Sequence, residues 1–553
     1  MAPPLSSEPW LSLPPDNYAA WLWEFRRRVW APPRADQDAD ASGIPQGAEL
    51  TPADDLRVEE TQGDAPPREK FVQLLWAERH LRPGPLFTER GRELEIIDSG
   101  RWNAGAGPDF LKAEVRVGGR LIRGDVEIHV ASSGWRAHRH GDDPAYAEVI
   151  LHAFLDNDDG VKLDSRQDAE PIERLCLRPF LYPDLQTLER TLDPDERDPG
   201  GEEQSELGTC HEAVLALDPK ALERFLDLAA RERLEDKVSR LRATRGESLD
   251  QAIYQALATY LGQGATKPLF FLLARRASLD ALRPLLREVE KSRRVVALQA
   301  IYLHVAGLIP TEEEREKTPF DGETCDYLNE LESWWAAARD YFADRLMPPT
   351  RRWFGNVRPG NFPTRLLAGF AHWTAGFLER DEGGVAESLI RFFPEGESGR
   401  GMSAKTRQKF IQTLAEGLEV DQPDDFWARR YSFAAQQMAN PMKLIGPSRA
   451  SLVTFNALLP SAILTARERH LAELDELCFR LYEVWPKLQG NAITRRMAWR
   501  LFAGHQRAEE VLVSEARMQA LHQIYKDCCD DECPSAGGCG YFGAPRAKGR
   551  EGR

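Results

Sequence analysis

Two hydrophobic periods divide this chain. In ELEIID (93–98), FLKAEVRV (110–117), RLIRGDVEIHV (120–130) and EVILHAFLD (148–156), short apolar runs carry the alternation expected of strands. Gly118-Gly119 separates two of them and predicts a tight hairpin, because both central turn residues can take positive φ. From Leu217 onward the apolar residues recur at three- and four-residue spacing, as in LDPKALERFLDLAARERLEDKVSRLRA and CDYLNELESWWAAARDYF, with Gly and Pro as punctuation. A further helix is expected from about Pro67, where EKFVQLLWAERHL places Phe71, Leu74, Leu75 and Trp76 among its apolar positions. DNYAAWLWEFRRRVW at 16–30 predicts one short amphipathic helix.

The expected architecture is therefore α+β. A Pro-rich, largely disordered extension with one short helix (1–66) precedes a small mixed-sheet domain (67–185). A linker (186–215), a large all-α region (216–526) and a Cys-rich tail (527–553) follow. At 553 residues, 42% of them hydrophobic, the chain can build more than one full core. A net charge of −16 argues against a surface that binds nucleic acid all over, and leaves room for a local basic patch. No apolar run is long enough to span a bilayer, and the N-terminus lacks a secretory signal pattern, so a cytoplasmic protein with no membrane partner is expected.

The sheet region carries the chemistry. In Asp125-Val126-Glu127-Ile128-His129-Val130, period two puts two acids and an imidazole on one face. Like charges two residues apart repel unless solvent, a cation or a basic side chain screens them. Asp109 opens the partner strand. A two-residue turn makes the numbers of paired residues add to 237, which sets Asp109 on the wrong face. One extra residue in the second strand, with Gly124 the expected bulge, would turn Asp109 toward His129 and the diagonal Glu127. The plain alternative is a set of cross-strand pairs, Lys112 with Asp125 and Glu114 with Arg123, and no metal. Four of the eleven histidines, His129, His138, His140 and His152, fall within 24 residues. They could serve acid–base chemistry or hold a transition metal.

A helix, a strand, Pro108-Asp109 opening a hairpin and Glu127-Ile128-His129 on its second strand together resemble the PD-(D/E)XK nuclease core. The resemblance implies that Asp109 and Glu127, with Asp125 helping, bind Mg2+ or Mn2+, and that His129 stands where a lysine positions the attacking water. It also implies a completing helix glutamate, for which Glu69 and Glu78 are the local candidates; from the histidine cluster, His138 or His140 could assist. EKFVQLLW, GPDF, GDVEIH, SSGWRAHRHGDDPAYAEVILH and the terminal cysteines also resemble a bacterial family of unknown function, with the first 66 residues outside the likeness.

Two other clusters stand apart. Cys528, Cys529, Cys533 and Cys539 offer four soft ligands, enough for a zinc clip on the C-terminus, with Cys210 a distant fifth. Arg351, Arg352, Arg358 and Arg365, with Trp353 and Phe354 and no acid nearby, suit contact with a nucleic acid. The function expected is a metal-dependent phosphodiesterase or nuclease. The alternatives are a non-catalytic nuclease-like fold whose helical region is an interaction scaffold, and a histidine-metal hydrolase of a small molecule.

Overall fold

The computed structural model describes residues 17–30, 67–103, 107–165, 171–194, 209–354 apart from 245 and 247, 361–379 and 384–528. It is α+β, a curled mixed sheet followed by a large helical region. The strands are β1 (Leu86–Phe87), β2 (Glu93–Asp98), β3 (Arg101–Trp102), β4 (Phe110–Val117), β5 (Arg120–Ala131), β6 (Val149–Asp156), β7 (Leu163–Asp164) and β8 (Ile172–Cys176). Their order is β1-β2-β4-β5-β6-β8-β7, with β3 also on β4. Pairing is antiparallel from β1 through β5, parallel from β5 through β8, and antiparallel again at β7. The parallel β5–β6 pair needs a crossover, and residues 132–148 supply it.

The helix Glu69–Ala77 buries Phe71, Val72, Leu74, Leu75 and Trp76 on one sheet face, against Val126, Ile128, Leu151 and Ala153. Burying side chains of this size stabilises by roughly 1.5–3 kcal/mol each. That packing fixes which way β5 faces: with Val126 and Ile128 under the helix, Glu127 and His129 must point to the opposite side. There Trp135, Tyr146, Val149 and Ile172 form a second, smaller apolar cluster.

The first core does not stop at 185. Leu188 and Leu192 belong to it, and Leu185–Thr191 is a helix capped by Asp184, whose carboxylate accepts from Thr187 N–H at 2.9 Å. The first part of the expected linker thus belongs to the sheet domain, while 195–208 lie outside the described residues. The α-helices from Thr209 to Cys528, apart from the short polar helix Glu312–Lys317, share one continuous core, and the short helix Tyr18–Trp30 joins it through Trp21 and Phe25. Among the described residues, no helix is long and apolar enough to cross a membrane.

Candidate metal centre

The hairpin turn is as the sequence predicts, with Gly118 and Gly119 both at positive φ (56° and 84°). Pairing runs from Val117–Arg120 to Ala113–Gly124 in the 237 register. Beyond that, Phe110 faces Val126 and the register is 236. The extra residue therefore sits on β4, at Leu111–Lys112, and not at Gly124 of β5. Lys112 takes φ +60°, and its N–H donates to Asp125 Oδ1 at 2.9 Å. Asp125 is thus engaged in holding the bulge.

Asp109 lies in a bend one residue before β4 and outside the β4–β5 ladder, so the ladder does not set it across from His129. Asp109 N–H donates to Glu127 Oε2 at 3.2 Å. The Asp109 carboxylate turns inward, accepting from Ile128 N–H at 2.8 Å and from Gln73 Nε2 at 2.7 Å. Among the described residues, Asp109, Asp125 and Glu127 do not form a group whose ligand atoms converge on one ion. Of the helix glutamates, Glu78 approaches His80 at 2.9 Å, whereas the charge of Glu69 is felt at Glu127.

What does assemble is a histidine group. The crossover leaves β5 through the helical turn Gly134–Ala137, whose entry is pinned by Asp158 accepting from both Ser132 Oγ (2.8 Å) and Ser133 Oγ (2.6 Å). Arg139 then adopts φ +58°, and the next turn, His140–Asp142, begins. His138 and His140 flank that left-handed residue and converge with His129. One ring nitrogen from each of the three lies within 4.8 Å of the other two. His129 Nε2 is 3.2 Å from His138 Nδ1, and Glu127 Oε1 is 3.0 Å from His140 Nε2 and 3.8 Å from His129 Nε2. Ligands about 2.1 Å from a tetrahedral ion stand roughly 3.4 Å apart, so the group is close to metal-binding dimensions.

Burial sets its electrostatics. Glu127, His129 and His140 are 4%, 2% and 3% exposed, while His138 faces solvent. Burial, and then the charge of Glu69, raises the Glu127 carboxyl well above its usual range, against a lowering by the Asp109 N–H. Burial and the surrounding imidazoles push His129 down to about 2, which keeps it neutral with a lone pair for a metal. On the far side, His129 Nδ1 meets His152 Nε2 at 2.9 Å, and His152 Nδ1 meets Asp164 Oδ2 at 2.5 Å. His152 also has its pKa lowered by burial, against the pull of Asp164.

A family model described as a protein of unknown function (DUF2851) matches residues 69–490. The chain belongs to that family. The match includes the whole histidine group and ends before the terminal cysteines. No curated protein and no solved structure matches the chain.

Cys528 is buried at the end of the last helix and Cys210 lies in the helical core, while Cys529, Cys533 and Cys539 fall outside the described residues. Arg358 and the side chains of Arg351 and Arg352 also fall outside them. Arg365 is fully buried, and its guanidinium donates to the backbone carbonyls of Trp427, Arg430 (3.2 Å), Met442 (3.3 Å) and Lys443 (3.1 Å). Its expected place on a nucleic-acid surface is corrected: it ties an irregular segment to the helix Pro363–Leu378. Trp353 is buried too, its Nε1 donating to Ala306 O at 3.1 Å, and has no free face for a base. Two residues with structural roles at the centre escaped the sequence reading, Asp164 and Gly134. Neither sits in a pattern that singles it out.

Proposed function

We propose that this chain is a metal-dependent hydrolase of phosphodiesters whose centre is the group His129, His138 and His140, with Glu127 beside it. One observation carries the reading: three imidazoles and a buried carboxylate, all from residues 127–140, face one small space. A divalent ion held there would act as a Lewis acid and acidify a coordinated water. Imidazole-rich sites suit zinc or iron better than magnesium, so the preferred ion shifts away from the Mg2+ or Mn2+ that an aspartate site implies.

Glu127 is the base in this scheme. Burial raises its pKa, which makes the carboxylate a stronger base, able to take a proton from the attacking water and return it to the leaving oxygen. His129 acts as a ligand and does not orient the water. Substrate approaches from the side of His138, where the exposed guanidinium of Arg139 can meet a phosphate oxygen. The order of elements supports a phosphate ester, since a helix, a hairpin bearing Glu127-Ile128-His129 and a crossover to a parallel strand follow the order of the nuclease core.

A second reading, a hydrolase of small esters, is favoured by the burial of Glu127, His129 and His140, since a duplex must bring a phosphate to the group and only His138 of it faces solvent. The test is metal analysis of the purified chain, then chelation and reconstitution with Zn2+, Fe2+, Mn2+ or Mg2+. Cleavage of bis(p-nitrophenyl) phosphate and of single- and double-stranded DNA and RNA is then assayed. We expect about one ion per chain, as a single set of three protein ligands with an open position implies, and metal-restored cleavage. A chain that binds none of these ions and cleaves nothing overturns the proposal. Cleavage of the small ester alone selects the second reading.

A further inference from the structure

We infer that His152 and Asp164 are positioning residues that dictate which nitrogen of His129 carries the proton, and so whether His129 offers a lone pair to the histidine group. The inference rests on the metal reading for its consequence, but its geometry stands apart from any metal. Three buried groups form a line: Asp164 Oδ2 to His152 Nδ1 at 2.5 Å, then His152 Nε2 to His129 Nδ1 at 2.9 Å. His152 is 0% exposed and Asp164 and His129 are each 2% exposed, so water does not compete for these bonds. Arg174, itself fully buried, lies 3.4 Å from Asp164 Oδ2 through its Nε and holds Asp159 at 2.8 Å through Nη2.

The proton positions follow from donor and acceptor capacity. A carboxylate beside a guanidinium accepts, so His152 carries its proton on Nδ1 and presents a lone pair at Nε2. His129 must then donate from Nδ1, which leaves the lone pair of Nε2 facing His138 and Glu127. Ligating histidines depend on such an outer partner for ring orientation and basicity, and its loss typically costs 10–100-fold in metal affinity. Here the partner is two residues deep, and an imidazole stands between the carboxylate and the ligand.

The decisive variant is Asp164→Asn. If the new amide turns its N–H toward His152 Nδ1, the line reverses: His152 carries its proton on Nε2, and His129 must hold its own on the nitrogen that faces the site. Two readouts are made on the full chain. Histidine-selective 15N NMR of the metal-free protein reports the tautomer of His129, and titration with Co2+ and with Zn2+ reports affinity and the cobalt absorption spectrum. We expect the parent to show the Nδ1–H tautomer and D164N the Nε2–H tautomer, with cobalt affinity down 10–100-fold and an altered spectrum. A parent with the Nε2–H tautomer, or D164N with parental tautomer and affinity, overturns the inference. A parent with the Nδ1–H tautomer that takes up neither ion overturns the metal reading and leaves the positioning intact. Should D164N not fold, His152→Gln and His152→Leu decide. The glutamine keeps an acceptor for His129 Nδ1–H and should retain most of the affinity, and the leucine should lose it. Equal affinities in the two overturn the inference.

Discussion

Gly134 lies against the ring of His129: a Cβ at position 134 would stand 2.4 Å from His129 Cδ2 and 2.7 Å from Cγ. Contacts that short force the ring or the turn to move. Since His138 and His140 follow on the same crossover, the displacement separates the three imidazoles. Gly134→Ala is expected to cost roughly 1–3 kcal/mol of stability, as overpacking does, and to reduce metal content far more than that loss implies. Thermal unfolding and metal analysis of the same preparation check both halves.

Glu127→Gln retains the shape and hydrogen-bonding capacity of the side chain and removes its basicity. If Glu127 is the base, metal content stays close to parental and turnover falls by a factor of about 10²–10⁴, the usual contribution of a positioned base. Loss of metal together with activity would instead make Glu127 a ligand. Parallel metal analysis and steady-state kinetics separate the two.

How far the site was legible in the sequence is clearest at the hairpin. Gly118-Gly119 and the period of β5 are local patterns, so the turn, the initial register and the shared face of Glu127 and His129 could all be read. The bulge could not. Lys112 occupies its left-handed conformation with no glycine to mark it, while Gly124, which invites a bulge, is small for another reason. A Cβ at Gly124 would meet Ile150 Cγ2 at 2.4 Å and Glu148 O at 2.5 Å, so the neighbouring strand requires the glycine. Asp164 was hidden for a similar reason: only the pairing of β7 onto β8 brings it to His152, and that contact is tertiary.

Arg365 should act on the fold and leave the centre alone. Arg365→Met removes the donor shared by four backbone carbonyls, and the two buried acceptors, of Trp427 and Arg430, cost about 1–3 kcal/mol each when left without a partner. A fall of several degrees in melting temperature is expected, with metal content per folded chain unchanged. An unaltered melting temperature combined with weakened nucleic-acid binding would restore the surface role.

The pH dependence of the metal-free chain should carry the mark of His129. Its folded pKa is lowered to about 2 and an unfolded histidine titrates near 6.5, so below 6.5 the unfolded chain binds the extra proton. The stability linked to this residue is whole above 6.5 and is lost as pH falls toward 2, at about 1.4 kcal/mol per unit. Glu127, with its pKa raised, works in the opposite sense. The clean comparison is therefore with His129→Gln, whose side chain does not titrate. From pH 6.5 to 5 the parent should lose roughly 2 kcal/mol more than this variant, measured by denaturant unfolding in the presence of chelator.

His138 is the one imidazole of the group that faces solvent, while Glu127, His129 and His140 are buried, the ring of His140 lying against Trp135 and Tyr146. For an ion held there, this asymmetry governs time as much as affinity. Entry and escape would both pass the turn that carries His138, so exchange would be limited by how often residues 134–140 swing away. Chelators would then strip such an ion slowly, at a rate that does not rise with their concentration, and an ion taken up during folding would be the one the protein keeps.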